Sequence, residues 1–183
     1  MGALVRPWVL VVFGIVSFAS GAFIGPLLAQ TGKLTFSVDQ IRGKAAKDAA
    51  AVLLDGALQL AETGSWERIA VGRAWYLGGD KTKGQQILDL VTASKKVESS
   101  DWFRVGRVYA EAGEWEKARK AFEQALAMKP GDDSGMVEYG ALANVHNDRT
   151  TAESLFEGAM KKNPREFWHW VTAGASYLGV RPQ

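Results

Sequence analysis

The sequence predicts an all-α chain: one N-terminal transmembrane helix, then an α-solenoid of about three helical hairpins, then a C-terminal helix. Two observations carry this reading. Gly72, Gly106, Gly140 and Gly174 recur every 34 residues, each with bulky and small apolar residues around it. Ahead of them, Trp8 to Ala29 is an uncharged, mostly apolar run.

Residues 1–29 form the expected anchor. At 1.5 Å per residue the apolar run reaches roughly 33 Å, the thickness of a hydrocarbon core. A cleaved signal peptide competes, with Trp8 to Phe18 as its apolar core and Ser20-Gly21-Ala22 as the cleavage site. The anchor is preferred because Phe23, Ile24, Leu27 and Leu28 prolong the run and only Arg6 precedes it. Ser17, Gly21 and Gly25 fall every fourth residue, a small-residue stripe suited to close packing between transmembrane helices. The two orientation signals conflict. Lys33, Arg42, Lys44 and Lys47 follow the run and argue for a cytoplasmic C-terminal side. A short basic N-terminus held inside would export it, and this is the expectation adopted.

Residues 30–36 read as a polar linker and 37–64 as a leading helix or degenerate repeat. Ser37 and Gln40 have the spacing of a capping box, and Gly64 is the expected stop after Thr63. Ala50, Leu54 and Ala57 stand in phase with Gly84, Leu88 and Val91 of the next unit.

Three units follow, 65–98, 99–132 and 133–166. The middle one shows the logic best. Trp102, Val105 and Tyr109 share one helix face, and Ala118, Phe122 and Ala125 share another on the next helix. Gly106 lets the two backbones approach. Gly113 suits the turn between them, and Pro130 ends the unit. Phe122 recurs as Phe156 and as Leu88, and Pro130 recurs as Pro164. Residues 167–183 repeat only the first half, with Trp170, Gly174 and Tyr177 in register, and give a terminal capping helix and tail. The glycine-rich segment Gly78 to Gly84 is not a phosphate loop, because Gln85 stands where that motif needs lysine.

These residues at this period resemble the tetratricopeptide repeat (TPR) family. The resemblance implies a stack whose concave groove is lined by the first helix of each unit and binds a protein or peptide partner. Carried onto this sequence, the partner-binding candidates are Trp66, Ile69, Arg73, Tyr76, Phe103, Arg107 and Trp168, with Arg104 beside them. Such a lining suits a segment with bulky side chains and a carboxylate, which arginine grips bidentately. The competing reading packs Trp66 and Tyr76 under neighbouring helices and leaves the arginines solvated. Some TPR domains clamp a chaperone tail through lysine and asparagine; Arg73 and Arg107 occupy the asparagine place here.

Composition narrows the function class. The 183 residues carry a formal charge of +2 and no cysteine. That removes thiolate metal sites, disulfides and cysteine nucleophiles. No basic run or aromatic–basic ladder suggests nucleic acid. His146 and His169 belong to no catalytic motif and read as surface or groove-edge residues. No catalytic residue, metal site or cofactor is expected. The layout resembles that of bacterial inner-membrane TPR proteins that accompany an export channel or assist cytochrome c assembly. The expected role is a single-pass, non-enzymatic adaptor on the periplasmic side. The alternative is a permanent subunit of a membrane complex, docked through the transmembrane stripe and the C-terminal helix.

Overall fold

The computed structural model describes residues 35–182. The expected membrane span, with Ser17, Gly21 and Gly25, lies outside them. Among the described residues no helix is long and apolar enough to cross a membrane.

Those residues form eight α-helices and no strand: α1 Ala46–Leu60, α2 Ser65–Leu77, α3 Lys81–Thr92, α4 Ser99–Glu111, α5 Trp115–Met128, α6 Asp133–Val145, α7 Arg149–Lys162 and α8 Phe167–Tyr177. Helices α2–α3, α4–α5 and α6–α7 pair as hairpins, α1 leans on α2, and α8 packs on α6.

The turn inside each hairpin repeats in detail. Gly79, Gly113 and Asn147 all adopt positive φ (99°, 75° and 66°), a conformation that glycine takes freely and asparagine tolerates. The next backbone N–H then reaches a carbonyl five residues back: Asp80 to Trp75, Glu114 to Tyr109, and Asp148 to Ala143. Asp80 and Asp148 also accept from the backbone N–H three residues on, at 3.0 and 3.3 Å, capping α3 and α7.

Close approach of the paired helices holds each hairpin. A Cβ on Gly106 would stand 2.5 Å from Phe122 Cε1, and one on Gly140 would stand 2.7 Å from Phe156 Cε1. Phe122 is fully buried, with the rings of Tyr139, Phe103 and Trp115 at 5.1, 5.8 and 6.4 Å. One core therefore runs from α2 to α8. A smaller cluster of Val71, Trp75 and Ile87 is covered by Ala51, Leu54, Ala57 and Leu58 of α1.

The leading segment departs from expectation. The Ser37–Gln40 capping box forms, but it closes a three-residue 3-10 turn, Val38–Gln40. Gly43 then takes a φ of 72°, so α1 begins only at Ala46 and ends at Leu60. The cap forms where the spacing places it, yet the helix starts later, because a cap does not fix how far the helix behind it propagates.

Candidate functional site

The first helices of the units, α2, α4, α6 and α8, share one face of the stack. A cavity of about 500 Å³ opens on it, walled by Trp66, Ile69, Arg73, Arg104, Arg107, Val108, Glu111, Glu138 and Leu142 among others. A second of about 480 Å³ lies farther along, walled by Val137, Trp168, His169, Val171 and Val180 among others. The tail residues Arg181 and Pro182 line both.

Five of the eight candidates meet at the first cavity. Trp66 is 54% exposed, and the Arg104 guanidinium carbon sits 3.5 Å from its ring centroid. Ile69 is buried at the cavity floor. Trp168 stands exposed in the second cavity.

Tyr76 and Phe103 are in the core instead. Tyr76 is 2% exposed, edge-on to Tyr109 at 5.6 Å. Its hydroxyl donates to Glu114 Oε2 at 2.7 Å. Phe103 faces Gly135 so closely that a Cβ there would stand 2.5 Å from the ring. Both sit where neighbouring hairpins meet, so burying the ring outweighs exposing it to the groove.

The arginines are not merely solvated. Arg73 Nε donates to Glu111 Oε2 at 2.8 Å, linking α2 to α4. Arg107 makes a two-pronged pair with Glu138, linking α4 to α6, with one N–H···O contact of 2.5 Å. Glu138 pushes the Arg107 pKa further up. Arg104 differs: its Nε is buried and has no hydrogen-bond partner. A buried donor without an acceptor is costly, about 1–3 kcal/mol, and most such groups in folded proteins are satisfied. The cavity wall carries four arginines, Arg73, Arg104, Arg107 and Arg181, against two glutamates, Glu111 and Glu138. Its residual charge is positive.

His146 is half-buried, and His169 is buried at the wall of the second cavity. His169 is 3% exposed, and neither of its ring nitrogens has a partner. His146 stacks on Trp115, centroids 4.8 Å apart, and burial lowers its pKa. Among the described residues no group of three or more histidine, cysteine or acidic side chains is placed to hold a metal ion.

Residues 99–132 match the tetratricopeptide repeat family model. The match covers α4 and α5, the hairpin of Gly106 and Phe122. Tetratricopeptide repeats generally bind protein partners, so a protein-interaction scaffold is the class of function this finding supports. Searches of curated proteins and of solved structures each found no match.

The sequence missed Glu111 and Glu138 as partners of the groove arginines, and Glu114 as the acceptor for Tyr76. The signal was present only as acidic residues one unit downstream of each partner. Which acid meets which base depends on the offset between hairpins, which periodicity alone does not give.

Proposed function

We propose that the chain is a membrane-anchored, non-enzymatic adaptor. It grips an extended segment of a protein partner on the face formed by α2, α4, α6 and α8. The segment carries a bulky apolar side chain for the Trp66–Ile69 floor and a carboxylate for Arg104. One observation carries this reading: the buried, unpartnered Arg104 Nε at the wall of a positively charged cavity. An incoming carboxylate pairs with the Arg104 guanidinium, which has no carboxylate of its own, while Arg73 and Arg107 stay engaged with their own glutamates.

The apolar run Trp8 to Ala29 fits a single bilayer crossing. A bacterial inner membrane, with the repeats on the periplasmic side, is the placement we favour.

A random peptide-display selection against the full chain in detergent tests the groove. Enrichment of peptides pairing an aromatic or aliphatic residue with Asp or Glu is expected, and Trp66→Ala with Arg104→Met should abolish it. Selection of basic peptides, or enrichment that survives both substitutions, contradicts the reading.

A further inference from the structure

We propose, resting on the groove reading above, that the turn after α8 is itself part of the groove and sets Arg181 between the two cavities. There its guanidinium takes a second carboxylate of the bound segment, and the second cavity takes a second bulky apolar side chain. The segment then reads apolar–acid for Trp66 and Arg104, followed by acid–apolar for Arg181 and Trp168.

The turn inside each hairpin puts its positive-φ residue seven positions after the repeat glycine: Gly79 after Gly72, Gly113 after Gly106, Asn147 after Gly140. After α8 the same turn comes early. Gly179 takes a φ of 76° only five positions after Gly174. The Val180 N–H donates to the carbonyl of Ala175 at 3.0 Å, the five-back contact of the hairpins. A helix advances about 100° per residue, so two residues fewer swing its exit round by about 200°. The hairpins send the chain back along the layer of second helices; here it leaves on the other side, over the first helices. Val180 accordingly lines the second cavity, and Arg181 and Pro182 line both.

Glu138 is an acid common to both cavity walls, and it is paired with Arg107. The junction is left with the charge of Arg181. That charge reaches α6: burial first, and the Arg181 cation second, hold the His146 imidazole below its ordinary value. A carboxylate crossing the junction meets a cation whose neighbouring acid is already engaged, which favours an acidic occupant over a basic one. Beyond the junction, Val137, Trp168, Val171 and Val180 give the second cavity apolar walls, and Trp168 is 66% exposed. An aromatic or aliphatic side chain seated there removes that surface from water.

The peptide-display selection, run on the full chain in detergent, separates the two halves of the groove. It is applied to wild type, to Arg181→Gln, and to Trp168→Ala with Val171→Ala. Arg181, Trp168 and Val171 are all exposed, and circular dichroism matching wild type checks that each variant is folded. Wild type should enrich peptides with two acids between two bulky apolar residues. Arg181→Gln should lose the second acid and the double variant the second apolar residue, each keeping the pair that answers Trp66 and Arg104. Peptides from wild type carrying only that first pair would overturn this proposal and leave the groove reading standing. Absence of the first pair as well would overturn both. A synthetic peptide from the wild-type selection should bind Arg181→Glu about fivefold more weakly or worse, and lysine in place of its second acid should restore the loss. Failure of that exchange, or tighter binding by Arg181→Gln, would show that Arg181 does not meet the segment and overturns the proposal.

Discussion

The guanidinium of Arg104 stacks on the indole of Trp66, 3.5 Å from cation carbon to ring centroid, and so joins the first helices of two successive hairpins. An exposed stack of this kind contributes about 0.5–1 kcal/mol. Arg104→Met should therefore lower stability by no more than about 1 kcal/mol, read from urea denaturation, because it also removes the unpartnered Nε. A loss of several kcal/mol would mean that Arg104 is a structural strut and not a ligand contact.

The repeat glycines divide into two kinds. Gly106→Ala forces a Cβ against the Phe122 ring and should destabilise the fold by about 1–3 kcal/mol. Gly174→Ala enters open space and should stabilise by up to about 1 kcal/mol through helix propensity. Thermal midpoints that move in opposite directions check this, and a shared direction contradicts the geometry.

Glu114 gives the fold an acid-sensitive joint. Lys117, Lys81 and the Tyr76 hydroxyl, in that order, hold its carboxyl down at about 2, from an ordinary value of 4.5. A depressed carboxyl contributes stability that is complete above its unfolded pKa and is lost as pH falls toward the folded one. Wild type should therefore lose stability between about pH 4.5 and 2 more steeply than Glu114→Gln, measured as the thermal midpoint against pH. Parallel curves would show that the cluster contributes nothing.

The two groove ion pairs should differ in strength. Arg107–Glu138 is two-pronged and its glutamate is 19% exposed; Arg73–Glu111 is more open, at 51% and 36%. Double-mutant cycles should give about 1 kcal/mol for the former and under about 0.5 kcal/mol for the latter. Equal couplings would place both at the same depth.

Much of the fold was legible because a hairpin needs local things: a glycine where backbones touch, a ring opposite it, a turn residue tolerant of positive φ. Gly106, Phe122 and Gly113 state all three within 17 residues. The site was legible as far as its wall, through Trp66, Arg73, Arg104 and Arg107. It failed at Tyr76 and Phe103, whose positions also face the next hairpin. Those outcomes depend on how far one hairpin is rotated against its neighbour. No single repeat encodes that rotation.

On the proposed reading, a partner segment lies along the first helices, between Trp66 and Arg104. Amide hydrogen exchange of the full chain, with and without a saturating display-selected acidic peptide, measures it most directly. Added protection is expected in α2 and α4, with α3 and α5 unchanged. Protection confined to α3, α5 or α7, or none despite binding, would contradict it.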